Sequence, residues 1–207
     1  MRILGKASSI NVRKVLWTCA EIGLAYARED WGSGFRSTTG PDFLLLNPNA
    51  LVPVIEDHNG ILWESNTICR YLAAEHGRLD LLPATPRARA EVERWMDWQA
   101  TELNGAWRHA FMGMVRRDPR FADVAGIAAS LADWSAKMAI LDGQLAATGA
   151  YAAGAGFTLA DIVLGLSVNR WLETPMPERP VFPAVEAWLG RLDARPGWHA
   201  HGRNGVP

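Results

Sequence analysis

The chain is poor in the residues that most often carry protein-borne chemistry. It has two cysteines, Cys19 and Cys69, far apart and in segments of helical period. With no Cys-x-x-Cys pair, a dithiol mechanism is excluded. The start, Met1-Arg2-Ile3-Leu4-Gly5, lacks an apolar leader with a small-residue cleavage site. Buried free thiols in a cytoplasmic protein are therefore expected. His58, His76, His109, His199 and His201 show no metal-ligand spacing. A glycine-rich phosphate loop and a Ser-His-Asp order are also missing. The formal charge is only -1, so the basic face that nucleic acid requires is not expected. No apolar run approaches the roughly 20 residues of a membrane span. What is present is an ordinary globular composition, 49% hydrophobic and 21% charged. At 207 residues the chain suffices for one large or two small cores. Ten tryptophans are unusual, and seven of them lie after Pro86.

The first 80 residues alternate strand and helix. Arg2 to Gly5 is a short strand. Asn11 to Ile22 places Val12, Val15, Leu16, Cys19 and Ile22 at helical spacing, and Gly23 sits where a C-terminal glycine belongs. Tyr26 to Trp31 is a second strand, Ser33 to Thr39 a loop, and Pro41 to Leu46 a short helix ended by Asn47-Pro48-Asn49. Leu51 to Glu56 and Ile61 to Trp63 form a hairpin through Asp57-His58-Asn59-Gly60. Ser65 caps a helix that Gly77 stops. This βαβ, short helix, β-hairpin, helix order is that of a thioredoxin-like α/β domain, and a cis Val52-Pro53 bond would explain a proline so early in a strand.

After a linker at Leu79 to Pro86 the pattern is purely helical. Arg87 to about Arg117 reads as one helix with Val92, Trp95, Met96, Gln99 and Leu103 along one stripe. Phe121 to Ala147 is a second. Thr158-Leu159-Ala160-Asp161 opens a third as a capping-box variant, and Val181 to Ala194 is a fourth. The expected organisation is a thioredoxin-like domain over residues 1–80 and an all-α helical bundle over 87–207.

Several residues suit a binding site, each with a plainer reading beside it. Ser65 at a helix start offers a hydroxyl and free N–H groups to an anion, or is simply a cap. Glu64 could pair with a cation or be a solvated acid. Val52 could give its N–H and C=O to an extended ligand, or be ordinary strand. Ser9 and Asn11, with Ser8 adjacent, lie where a loop enters a helix and could donate to a thiolate, or cap that helix. Trp107, Phe111, Met112 and Met114, with Arg108 nearby, could wall an apolar cleft, or pack a core or dimer interface.

Taken in order, Ala7 to Val15, Leu51 to Ile55 and Leu62 to Asn66 resemble the glutathione site of the cytosolic glutathione S-transferases, of the bacterial serine/asparagine, theta-like or nu-like kind. Asn47-Pro48-Asn49, the Ile68-to-Leu72 run and Thr158 to Asp161 extend the resemblance over nearly the whole chain. It implies glutathione as co-substrate, with Ser9 or Asn11 facing the thiol. It implies Leu51, Val52 and Pro53 along the peptide backbone, and Glu64 and Ser65 at the γ-glutamyl end. It implies a hydrophobic electrophile against Trp107, Phe111 and Met112, and a homodimer through a face with Arg70, Arg94, Trp95 and Trp98. Leu51 departs from the Lys or Gln common before Val-Pro, so a glycyl-carboxylate contact is absent or comes from the Gly34-Phe35-Arg36 loop. The alternative functions are a glutathione-dependent disulfide reductase or peroxidase and a non-catalytic binding protein on the same scaffold.

Overall fold

The alternating half folds into a four-stranded sheet. In the computed structural model, which describes residues 1–205, β1 (Arg2–Leu4), α1 (Ile10–Ile22), β2 (Ala27–Glu29), α2 (Pro41–Leu44), β3 (Val54–Asp57), β4 (Gly60–Trp63) and α3 (Ser65–Glu75) follow in that order. The sheet order is β2-β1-β3-β4. β1 runs parallel to β2, and β3 lies antiparallel to β1 with Ile3 opposite Ile55. Both Ile3 and Ile55 are fully buried, which fixes that register, since a one-residue slip would turn them to the other face. Gly23 ends α1 in the left-handed conformation, φ 80°, and the Val52-Pro53 bond is cis.

Two strands are shorter than their apolar runs. β2 keeps only Ala27–Glu29 of the expected 26–31, and β3 begins at Val54 rather than Leu51. The cause of the second is Pro53, which cannot donate to the ladder. Pairing with β1 therefore stops at Leu4 opposite Val54. Val52 is left outside the ladder, drawn against the end of β1 by Gly5. A Cβ on Gly5 would lie 2.5 Å from Val12 Cγ2 and 3.1 Å from Val52 Cβ, so only glycine lets strand, helix and cis-proline loop approach so closely.

The second half is α4 (Pro86–Trp98), a π-helical turn at Gln99–Leu103, α5 (Asn104–Met114), a 3-10 turn at Pro119–Phe121, α6 (Val124–Thr148), α7 (Leu159–Glu173) and α8 (Pro183–Leu192), closed by a π-turn at Trp198–Gly202. The expected single helix from Arg87 to Arg117 is thus two α-helices with a wider turn between them. That turn inserts Gln99 into a buried polar network. Gln99 Oε1 accepts from Lys14 Nζ at 2.7 Å, and its Nε2 lies 2.9 Å from both Asn104 Oδ1 and Ser167 Oγ.

α7 is buried from Leu159 to Trp171, mostly through apolar side chains, with Asp161, Ser167, Asn169 and Arg170 buried among them. α1 packs across it and α3. Trp17, fully buried, joins the halves by lying 6.0 Å from Phe157 and 5.3 Å from Trp198. α6 corrects the expectation about long apolar segments: its 25 residues reach a window hydropathy of 1.3, enough by length and composition for a membrane span. Much of that hydropathy is alanine. Its buried stripe, Ser130, Trp134, Met138, Leu141 and Leu145, has the period of a bundle helix, and it packs on α5 and α8.

Candidate active site

A cleft of about 520 Å³ opens where the loop after β1 meets α5 and α7. Ser9, Asn11 and Leu51 line one side, and Trp107, Phe111, Met112, Arg108 and Arg170 line the other. Residues from four distant stretches of sequence therefore share one cavity.

Ser9 occupies the N-cap position of α1, with φ -75° and ψ 124°, yet its side chain makes no capping hydrogen bond. Asn11 follows in the first turn. Ser8 is exposed and is not part of the cleft wall. A half-buried hydroxyl and amide therefore stand at the positive end of a 13-residue helix, where anionic charge is favoured. The helix-cap reading of Ser9 does not describe the geometry.

The α3 end differs in detail from expectation. Glu64, not Ser65, holds the N-cap position, and Ser65 is the first helical residue, 8% exposed. Glu64 sits at φ 74° and ψ 107°, a conformation costing of order 1–3 kcal/mol in a non-glycine residue. No side chain caps the helix, so its first N–H groups stay open beside the exposed Glu64 carboxylate. An acid next to uncapped N–H donors presents both signs of charge at one point. Asn66 turns inward instead, its Oδ1 accepting from Lys14 at 3.0 Å and its Nδ2 donating to Met96 O at 2.8 Å. Burial pulls the Lys14 ammonium down to about 8.

Leu51 is 62% exposed at the rim, and its carbonyl accepts from Asn47 Nδ2 at 2.8 Å. Arg36, in the loop expected to compensate for Leu51, is bound to Glu29 at 3.1 Å and stacks on Trp31. Lys6 is the cation that shares the cleft wall with Ser9 and Leu51.

On the helical side, Trp107 Nε1 donates to Asn104 Oδ1 at 3.1 Å, and Trp107 and Phe111 meet edge to face at 5.4 Å. Phe111 is 3% exposed and packs the core as well as the cleft, while Met114 lies away from it. Trp95, expected on an interface, is 8% exposed within the core, and Arg70 pairs with Glu93 and Asp97 of its own chain. Neither cysteine reaches the cleft. Burial pushes the Cys19 thiol up to about 12 and the Cys69 thiol up to about 11, so neither is a nucleophile near neutral pH.

The residues missed by sequence reasoning are Lys6, Arg116 and above all Arg170. One signal was available: Arg170 is the lone basic residue of a largely apolar helix.

Over most of its length the chain is similar to known proteins. The family model "Glutathione S-transferase, N-terminal domain" matches residues 1–74, and "Glutathione S-transferase, C-terminal domain" matches residues 122–196. Glutathione S-transferase GstB of Escherichia coli is 39% identical over 194 residues, 93% of this chain and 92% of that protein. Glutathione S-transferase 3 of Zea mays is 31% identical over 96% of this chain and 91% of its own. The structure of a theta-class glutathione S-transferase from Xanthomonas axonopodis pv. citri with glutathione bound superposes with a TM-score of 0.91 at 39% identity, covering 100% of this chain and 98% of that one. The chain belongs to the glutathione S-transferase family.

Proposed function

We propose that this protein conjugates glutathione to small electrophiles in the 520 Å³ cleft, with the α1 N-terminus stabilising the glutathione thiolate. The observation that carries this reading is the uncapped Ser9 hydroxyl, beside Asn11 and facing the wall of Trp107, Phe111 and Met112. Glutathione is the nucleophile. Its extended backbone pairs with Val52, whose N–H and C=O the cis-proline loop leaves outside the sheet, and Leu51 and Pro53 flank that pairing. Its γ-glutamyl carboxylate meets the α3 N–H groups and the Ser65 hydroxyl, and Glu64 pairs with the ammonium. Its thiol lies at Ser9 or Asn11, where hydrogen-bond donors and the helix dipole lower its pKa. The thiolate then displaces a leaving group from an electrophile resting on Trp107, Phe111 and Met112.

Conjugation of chlorodinitrobenzene, followed by absorbance, should exceed reduction of a small disulfide such as hydroxyethyl disulfide. The reverse ranking would make the disulfide-reductase reading the better one.

The enzyme is further proposed to be a cytoplasmic C2 homodimer. A groove of about 510 Å³ between α4 and α6, lined by Arg94, Trp98, Ile140 and Gly143, leaves apolar surface for a neighbour to cover. Light scattering at micromolar concentration should give about twice the 22.7 kDa chain mass. A monomer mass would remove the dimer.

A further inference from the structure

Arg170 is buried without any acceptor to justify it. It is 4% exposed, it comes from the most buried helix of the fold, and it opens on the cleft. Its guanidinium lies 4.4 Å from the Trp107 ring centroid and 4.0 Å from that of Phe111. Those ring faces attract the cation but cannot accept its in-plane N–H donors. Nε has no hydrogen-bond partner, and among the described residues no carboxylate pairs with the group. The charges that act on it are Arg116 and Arg13, both of the same sign, and with burial they pull the guanidinium down to about 9. A buried unpaired cation costs several kcal/mol, so it is retained only where something else repays it.

The cleft as a whole has the same bias. Lys6, Arg108, Arg116 and Arg170 line it, and no acid does, although the chain as a whole is slightly acidic. Arg116 stacks over Phe111 at 5.3 Å, on the same ring that Arg170 covers. In the adjoining cavity the one carboxylate, Asp118, is taken by Arg120 at 2.7 Å. Lys6 stands on the glutathione side with Ser9 and Leu51. Arg170 and Arg116 stand on the aromatic wall, where the electrophile rests.

Resting on the conjugation reading above, we propose that Arg170, seconded by Arg116, forms an anion subsite that selects electrophiles bearing a carboxylate. The aromatic wall orients the guanidinium, and the substrate carboxylate supplies the acceptor that the protein withholds. The reacting carbon is then held next to the thiolate. The sulfur electron pair forms the S–C bond, the carbon–leaving-group bond breaks, and the leaving group departs with its electron pair. The thiol proton has already passed to solvent.

Iodoacetate and iodoacetamide test this directly, since they share a reacting carbon and a leaving group and differ in charge. The readout is the ratio of kcat/KM for iodoacetate to that for iodoacetamide, from iodide release at saturating glutathione. Arg170→Met should lower this ratio by roughly 10- to 100-fold, the loss of a charge-assisted hydrogen bond. Arg116→Gln, at an exposed position where folding is not at stake, should lower it by roughly 3- to 10-fold. Arg170→Met should also melt no lower than wild type, because it removes an unpaired buried charge; a structural role would lower the melting temperature. A ratio within twofold of wild type in both variants overturns the proposal, as does a parallel fall of both rates. If wild type turns over neither compound, the conjugation reading fails only where chlorodinitrobenzene is left unconjugated as well. Binding then decides the subsite: S-carboxymethylglutathione held more tightly than S-carbamoylmethylglutathione, with the preference lost in Arg170→Met, supports it, and equal affinities overturn it.

Discussion

Ser9→Ala should raise the apparent pKa of the bound glutathione thiol and lower turnover by roughly 10- to 1,000-fold, the loss expected when one charge-stabilising donor is removed. That is about 1.4–4 kcal/mol of transition-state stabilisation. The expectation rests on a hydroxyl that makes no capping bond at the start of α1 and lines the cleft. Asn11 shares the cleft wall but sits one residue inside the helix. Asn11→Ala is therefore the matched control and should cost little. Titrating the thiolate absorbance of the bound complex separates the two positions, because loss of a thiolate donor moves the pKa while loss of packing does not. If Asn11→Ala moves the pKa and Ser9→Ala does not, the roles are exchanged. If both variants keep the wild-type rate and pKa, neither side chain touches the sulfur.

The sheet and its cis-proline were legible because they follow from local chemistry: apolar runs, a turn signal at Asp57 to Gly60, and an X-Pro bond at a strand start. The misread details are those in which neighbours overrule local preference. Ser65 has the better side chain for an N-cap, but the chain places Glu64 there at positive φ. A π-turn adds one residue to an apolar stripe without breaking it, so Gln99 to Leu103 gave no sign of itself. Its reason lies 85 residues away, in the buried Lys14 that Gln99 meets. The cleft shows the same limit. Ser9, Asn11, Trp107, Phe111 and Met112 could each be proposed from residue type and place in a motif. The charge of the cavity could not, because Lys6, Arg116 and Arg170 become neighbours only once α7 crosses α1.

Asp161→Ala should be the most damaging single change outside the cleft. The carboxylate is fully buried at the start of α7 and accepts from four donors: the N–H of Ala152 at 2.9 Å, the N–H of Thr158 at 2.9 Å, Thr158 Oγ1 at 3.2 Å and Trp188 Nε1 at 3.0 Å. It thereby ties the connection after α6, the N-terminus of α7 and the middle of α8 to one point. Alanine would orphan buried donors at about 1–3 kcal/mol each, so a loss of about 3–5 kcal/mol is expected. For a chain of this size that lowers the melting temperature by about 10 °C. The pH dependence has a definite sign. Burial pushes the Asp161 carboxyl up to about 6 against the pull of its donors, above its unfolded value of 3.8. A carboxyl whose pKa is higher folded than unfolded binds its proton more readily in the folded state. The stability it contributes through protonation is fully present below about pH 4 and lost as pH rises through about 6. Asp161→Asn cannot titrate, so the stability gap between wild type and this variant should widen as pH falls from 7 to 4 in denaturant titrations. A gap that stays flat over that range would mean that the carboxyl titrates no higher folded than unfolded, and that its donors, not its burial, set its charge.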